Sequence, residues 1–252
     1  MELLSIRNNS RTISKRRKEI RAIVLRDSAT MREANFTALQ SEDLARLFQL
    51  YDERFFTGWL SNTVVKTAAT GLTFRLSTSM VRAGGKTIRT SRRLQNGTMG
   101  RHYEIAVASR MLLMNFGNYY RPLTVCGLEC DDRLSALQRI MEHEMLHLAE
   151  LLFWGKSSCA VPRFKTMAKN IFGHTSSKHD LITPRENAAL RHGLHVGSKV
   201  IFELDGKKLA GLVNRIQQQA TVLVEAPDGV RYQNGRSYQK YYIPLRRLRV
   251  MR

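Results

Sequence analysis

Apolar residues recur every three or four positions in some stretches of this chain and alternate in others. From Glu42 to Phe56, Leu44, Leu47, Phe48, Tyr51 and Phe55 fall on one helical face, and Ser41 stands at the N-cap position. A longer helix is predicted after Asp131-Asp132, which offer an N-cap and a negative first turn. Leu134, Leu137, Ile140, Met141, Met145, Leu148, Leu151 and Leu152 follow at helical spacing until Gly155. Another helix is expected from about Arg163 to Phe172. A short one begins at the capping box Thr183-Pro184-Arg185-Glu186 and stops at Gly193. Between the first two helices, Gly71–Thr78, Lys86–Thr90, Tyr103–Ser109 and Leu123–Cys126 read as short strands separated by glycine-rich turns.

Past residue 190 the pattern is all strand. Lys199–Leu204, Leu209–Ile216, Ala220–Glu225 and Tyr241–Leu248 are largely apolar alternations, with turns expected at Asp205-Gly206 and Asp228-Gly229. The expected division is a basic arm or helix over 1–40, an α+β domain over 41–190, and a small SH3-like or KOW-like barrel over 191–252.

Composition adds a partner class. The 252 residues are 43% hydrophobic, enough for a real core, and carry a formal charge of +20. Residues 191–252 hold 12 basic groups against 4 acidic ones. Such a field favours polyanions, so nucleic acid is an expected partner, DNA ahead of RNA. Lys15, Arg16, Arg17 and Lys18 are candidate contacts in the basic stretch 10–27. Lys207, Lys208, Arg246 and Arg247, interleaved with Phe202, Tyr232, Tyr238, Tyr241 and Tyr242, are candidates near the C-terminus. No run of about eighteen apolar residues predicts a membrane span. With three cysteines and no apolar leader, a reducing cytoplasm is the expected compartment, with a nucleoid association compatible with the charge.

The candidate chemistry lies inside the long helix, at His143-Glu144-Met145-Leu146-His147. Two imidazoles four residues apart project from one face, about 6 Å apart at Cβ, and can grip one metal ion. Glu144 stands between them as a candidate general base. This is the zincin arrangement, which points to a zinc-dependent (Zn2+) hydrolase acting on a protein or peptide.

Around that motif the chain resembles the SprT-like (Spartan-type) metalloprotease family, over roughly Ser41 to His179. The resemblance rests on Leu47-Phe48-Gln49-Leu50-Tyr51-Asp52-Glu53-Arg54-Phe55-Phe56, on Arg82-Ala83-Gly84-Gly85, on Tyr103–Ser109, on His143–His147 and on Arg163-Phe164. It implies a helix, a small antiparallel sheet and a metal-binding helix, a zinc ion, and endopeptidase activity. Some relatives degrade proteins bound or crosslinked to DNA. Relatives usually carry a third metal histidine in an HGxxF segment, whereas this chain has Ser158-Cys159-Ala160-Val161-Pro162-Arg163-Phe164.

The third ligand therefore has several candidates. Glu150 lies on the same face as His143 but about 10 Å farther along the axis, and is expected to orient an imidazole instead. Cys159, in the loop after the helix, can fold back as a thiolate ligand. His174 or His179 could replace it. Cys126 and Cys130 form a CxxxC pair that reads as core. An extended substrate is expected on the edge strand near Thr73–Thr78. The alternative function is a non-catalytic nucleic-acid-binding protein with a structural zinc, in which a fourth protein ligand closes the open position.

Overall fold

In the computed structural model, residues 3–67, 69–93, 97, 99–116 and 121–251 are described. They form two units, Met1–Leu181 and Ile182–Arg252.

In the first unit the basic N-terminal stretch is helix α1 (Ser10–Asp27), capped where the Asn9 side chain accepts from the Thr12 N–H at 2.8 Å. Ile13, Ile20 and Val24 on one of its faces are buried in the same core as the rest of the unit, so of the two expected forms this stretch is a packed helix. Helix α2 (Ser41–Phe56) buries the predicted face of Leu44, Leu47, Phe48, Tyr51 and Phe55. It ends where Thr57 and Gly58 both take positive φ, of 52° and 76°. Helix α3 (Trp59–Lys66) follows at once. The Asp52 carboxylate accepts from the N–H groups of Leu60 and Ser61 at 3.0 and 2.9 Å, satisfying donors that the α3 start leaves open.

Strands β1 (Ala69–Leu76), β2 (Gly85–Arg93) and β3 (Met99–Val107) pair in the order β1-β3-β2. The expected antiparallel sheet is mixed: β2 runs antiparallel to β3, but β1 runs parallel to it. The reason is topological. The chain leaves β1, returns as β2 one strand position away, and the β2–β3 hairpin then inserts β3 between them. Next come helix α4 (Ser109–Met114) and the short strands β4 (Thr124–Val125) and β5 (Leu128–Glu129).

Helix α5 (Arg133–Trp154) starts at the predicted cap. Asp132 accepts from the Ser135 N–H at 2.8 Å and binds the Arg21 guanidinium at 2.7 and 2.9 Å. Gly155, at φ 68°, ends it. Fourteen of its residues are buried, which makes it the axis of the unit. Helix α6 (Pro162–Phe172) opens with proline at its first position and closes at Gly173. Strand β6 (His179–Asp180) then pairs with β4, setting His179 opposite Val125.

The second unit begins with helix α7 (Pro184–His192), capped by Thr183. Its Ala188 and the following Leu194 share a core with Val200, Phe202, Val213 and Val222, so the boundary lies ahead of the expected residue 191. Strands β7 (Lys199–Leu204), β8 (Lys207–Ile216), β9 (Ala220–Arg231), β10 (Ser237–Ile243) and β11 (Arg249–Val250) form an antiparallel sheet in the order β10-β9-β8-β7-β11. Among the described residues no pairing joins β10 to β11, so the expected barrel is an open sheet. Asp205 and Gly206, at φ 50° and 71°, make the expected tight turn. Asp228-Gly229 does not turn: it lies within β9, and the reversal falls at Tyr232–Arg236, where Gly235 takes φ 80°. Pro244 stops β10 before the expected end at Leu248.

The cap of α5 has a measurable weight. Asp132→Ala, which loses the cap, is expected to lower the unfolding free energy by about 1–2 kcal/mol in urea titration, and Asp132→Asn by less. Equal losses would show that the carboxylate acts only through Arg21.

Candidate metal centre

The chemistry open to His143 and His147 depends on where each imidazole carries its proton. Glu150 is fully buried and its carboxylate accepts from Ser157 Oγ at 2.7 Å, the Ser158 N–H at 3.1 Å and Arg163 Nε at 2.8 Å. Ser157 has one hydroxyl proton, and Glu150 takes it. The 2.6 Å contact between Ser157 Oγ and His147 Nδ1 must then be donated by the imidazole, which leaves His147 Nε2 with a bare lone pair. The same logic applies to His143. The Cys126 sulfur lies 3.8 Å from the Arg139 carbonyl and 3.7 Å from His143 Nδ1; with the thiol donating to the carbonyl, Nδ1 donates to the sulfur and His143 Nε2 keeps its lone pair for a metal. These two Nε2 atoms face each other at 3.1 Å. Neutral lone pairs at that separation repel, and a cation between them removes the conflict. Burial, aided by His179 and His147, pushes the pKa of His143 down to about 2, and burial lowers that of His147, so both rings are held in the neutral, ligating form.

Two groups of described residues bring three potential ligand atoms within 4.8 Å of one another. One is His143, His147 and Cys159, the set expected from the sequence. The other is Cys126, His143 and His179. The rings of His143 and His179 meet edge to face, with centroids 4.7 Å apart, and His179 Nε2 is buried without a hydrogen-bond partner. The donor set thus fits a metal ion at the His143–His147 pair. His174 joins neither group. It lies too far from the other ligand atoms to be the third ligand, and its Nε2 is 2.7 Å from Glu142.

Glu144 lies beside the pair, buried, with its pKa raised to about 7 by burial against the opposing pull of hydrogen bonds from Thr87. Thr87 Oγ1 is 2.8 Å from its Oε2 and 2.9 Å from its carbonyl oxygen. The glycine pair before Thr87 makes this approach possible. A Cβ on Gly85 would stand 2.8 Å from Glu144 Cγ, and one on Gly84 would stand 2.8 Å from His179 Nδ1. The centre opens into a groove of about 1050 Å3, whose rim carries Arg82, Lys86, Arg89 and Lys178. Strand β2 lines this groove, and Thr73–Thr78 do not, so the sheet edge available to an extended substrate is β2 and not the expected one.

Behind the centre, Glu142 carries a buried charge. It accepts from Arg17 at 2.7 and 2.6 Å, the Tyr51 hydroxyl at 2.8 Å and Arg139 at 3.2 Å, besides its bond with His174. Burial alone would raise its pKa, but Arg17 and Arg139 outweigh it and hold the carboxyl well below its ordinary range. Arg17 is therefore not a free surface cation: a buried carboxylate draws it inward. Arg16 packs over the Phe55 ring at 5.2 Å, while Lys15 and Lys18 are exposed. In the second unit Lys208, Arg246 and Arg247 line one cavity of about 560 Å3 together with Arg249, Glu203 and Asp205. Lys207 is outside that lining.

Ser157, Thr87 and Cys126 touch the candidate centre from positions that spacing does not reveal. Only the position of Ser157, within the loop that follows the helix, hints at such a role. Comparison with known proteins returns no match, whether to family models, to curated proteins or to solved structures. No described helix is long and apolar enough to cross a membrane.

Ser157→Ala removes the acceptor that sets the His147 tautomer. It is expected to weaken metal binding about 10–100-fold in chelator competition, with the fold intact by circular dichroism. Unchanged affinity would remove Ser157 from the centre.

Proposed function

We propose that the Met1–Leu181 unit is a zinc-dependent endopeptidase of SprT-like type that acts on proteins at or near nucleic acid. The observation that carries this reading is the pair of imidazole Nε2 atoms 3.1 Å apart, beside a buried glutamate, on the wall of an open groove. His143, His147 and Cys159 would hold the ion, and two imidazoles with one thiolate is a donor set that catalytic zinc sites use. When bound, zinc supplies Lewis acidity toward a scissile carbonyl and lowers the pKa of water.

The remaining work falls to the chain. Glu144 accepts the proton of the attacking water and returns it to the leaving amine. Thr87 holds the carboxylate in place from β2. The free edge of β2 can pair with an extended substrate backbone, so that peptide hydrogen bonds rather than side-chain pockets position the scissile bond. Glu144→Gln is expected to keep its metal and lose cleavage of casein by a factor of about 100 or more. Chelation should abolish cleavage in the unaltered protein, and added zinc should restore it. Unaltered cleavage by the Gln variant would eliminate the assignment.

One observation favours the second reading, a structural zinc in a nucleic-acid-binding protein. His179 lies against His143 with its Nε2 unpartnered and could add to the ligand set, closing the site to water. Zinc content with cleavage absent in every assay would select it. Under both readings the cationic cavity of the second unit is the proposed nucleic-acid surface. Replacing Lys208, Arg246 and Arg247 together by Ala should weaken DNA binding at all sequences. It should also flatten the salt dependence, by a slope of about one for each phosphate no longer neutralised. An unchanged slope would discard that surface.

A further inference from the structure

The first unit has a second concavity, apart from the groove. It lies between α1, α5 and α6 and encloses about 530 Å3, room for a single nucleotide-sized molecule. Five of its lining side chains are cationic, Arg17, Lys18, Arg21, Arg139 and Lys169, and none is acidic. Three of them sit on one face of α1, where Ser14 also contributes its hydroxyl.

The arginines are anchored from behind. Arg17 and Arg139 bind Glu142, and Arg21 binds Asp132, so their guanidinium groups are held in fixed positions. Lys18 and Lys169 are exposed and, among the described residues, pair with no carboxylate. Arg139 also keeps a buried Nε–H without a hydrogen-bond partner. The anchored arginines present fixed N–H donors, and the two lysines without carboxylates leave the wall a positive excess, a combination suited to an anion.

We propose that this cavity binds a phosphate-bearing small molecule, a nucleotide or pyrophosphate, with Lys18 and Lys169 closing on the phosphates over the bed of arginines. The same chemistry is present in a nucleic-acid backbone, but a concavity of this size suits one nucleotide rather than a continuous strand.

The test uses the full chain, titrated calorimetrically with pyrophosphate, ATP and a single-stranded oligonucleotide at physiological salt. Saturable one-to-one binding of pyrophosphate or ATP is expected, with a raised melting temperature. The Lys18→Glu/Lys169→Glu variant, altered at two exposed positions, should bind at least about tenfold more weakly. The Lys66→Glu/Arg110→Glu variant, altered at two exposed positions outside the cavity, should bind as the parent does. Three results would overturn the proposal: no saturable binding, an equal loss in both variants, or an oligonucleotide preferred over ATP at equal phosphate concentration. None of these readouts involves peptide cleavage, so the result is independent of the peptidase reading.

Discussion

A single buried charge organises the first unit. Glu142 sits inside α5 with no access to solvent, and an ion there is tolerable only if its oxygens are matched. The matching groups come from different parts of the chain: Arg17 from α1, Tyr51 from α2, Arg139 one turn earlier on α5, and His174 from just beyond α6. Removing one partner of such a buried set typically costs about 3–5 kcal/mol, because the remaining charge is stranded. The carboxylate therefore fixes where three other segments lie against the helix. His143 is the next residue along, so the metal centre inherits its position from that arrangement.

Two networks converge on the histidine pair from opposite sides. Cys126 reaches the Nδ1 of His143 from the end of β4, and Ser157, backed by Glu150 and Arg163, reaches the Nδ1 of His147 from the loop after α5. Each network ends in a group that can accept the Nδ1 proton and leave Nε2 for a metal. The result is two lone pairs aimed at one point, set by groups that never touch that point themselves. Arg163 also lies over the Trp154 ring at 4.0 Å, which ties the loop to the last turn of α5 and holds Ser157 in reach.

Legibility from sequence follows the range of the interaction concerned. Helix α5 can be read end to end because Asp132, the apolar period and Gly155 are local signals; the buried face of α2 is legible likewise, though its N-cap is Gln40 and not the expected Ser41. The His143–His147 pair and the approach of Cys159 are legible because four residues of helix fix the first and one loop carries the second. The parallel pairing of β1 with β3 is not, since strand order depends on where the hairpin inserts rather than on any residue pattern. Asp228-Gly229 looks like a turn by composition, yet neither residue takes a positive φ, and Gly229 serves instead to let the backbone of Tyr238 pass close by. Arg17 is hidden for a similar reason. In a run of cations nothing local distinguishes the one that turns inward, and its partner lies 125 residues away.

The double glycine before Thr87 has one more effect. Gly85 surrenders to Glu144 the volume that a methyl group would fill, while Thr87, two residues on and on the same side of the strand, supplies the hydroxyl. Sliding β2 by one residue would present Lys86 to the carboxylate in one direction. In the other it would carry the threonine out of reach. The strand is thus indexed against the helix like a key with a single notch, and a bound chain lying along it would inherit that alignment.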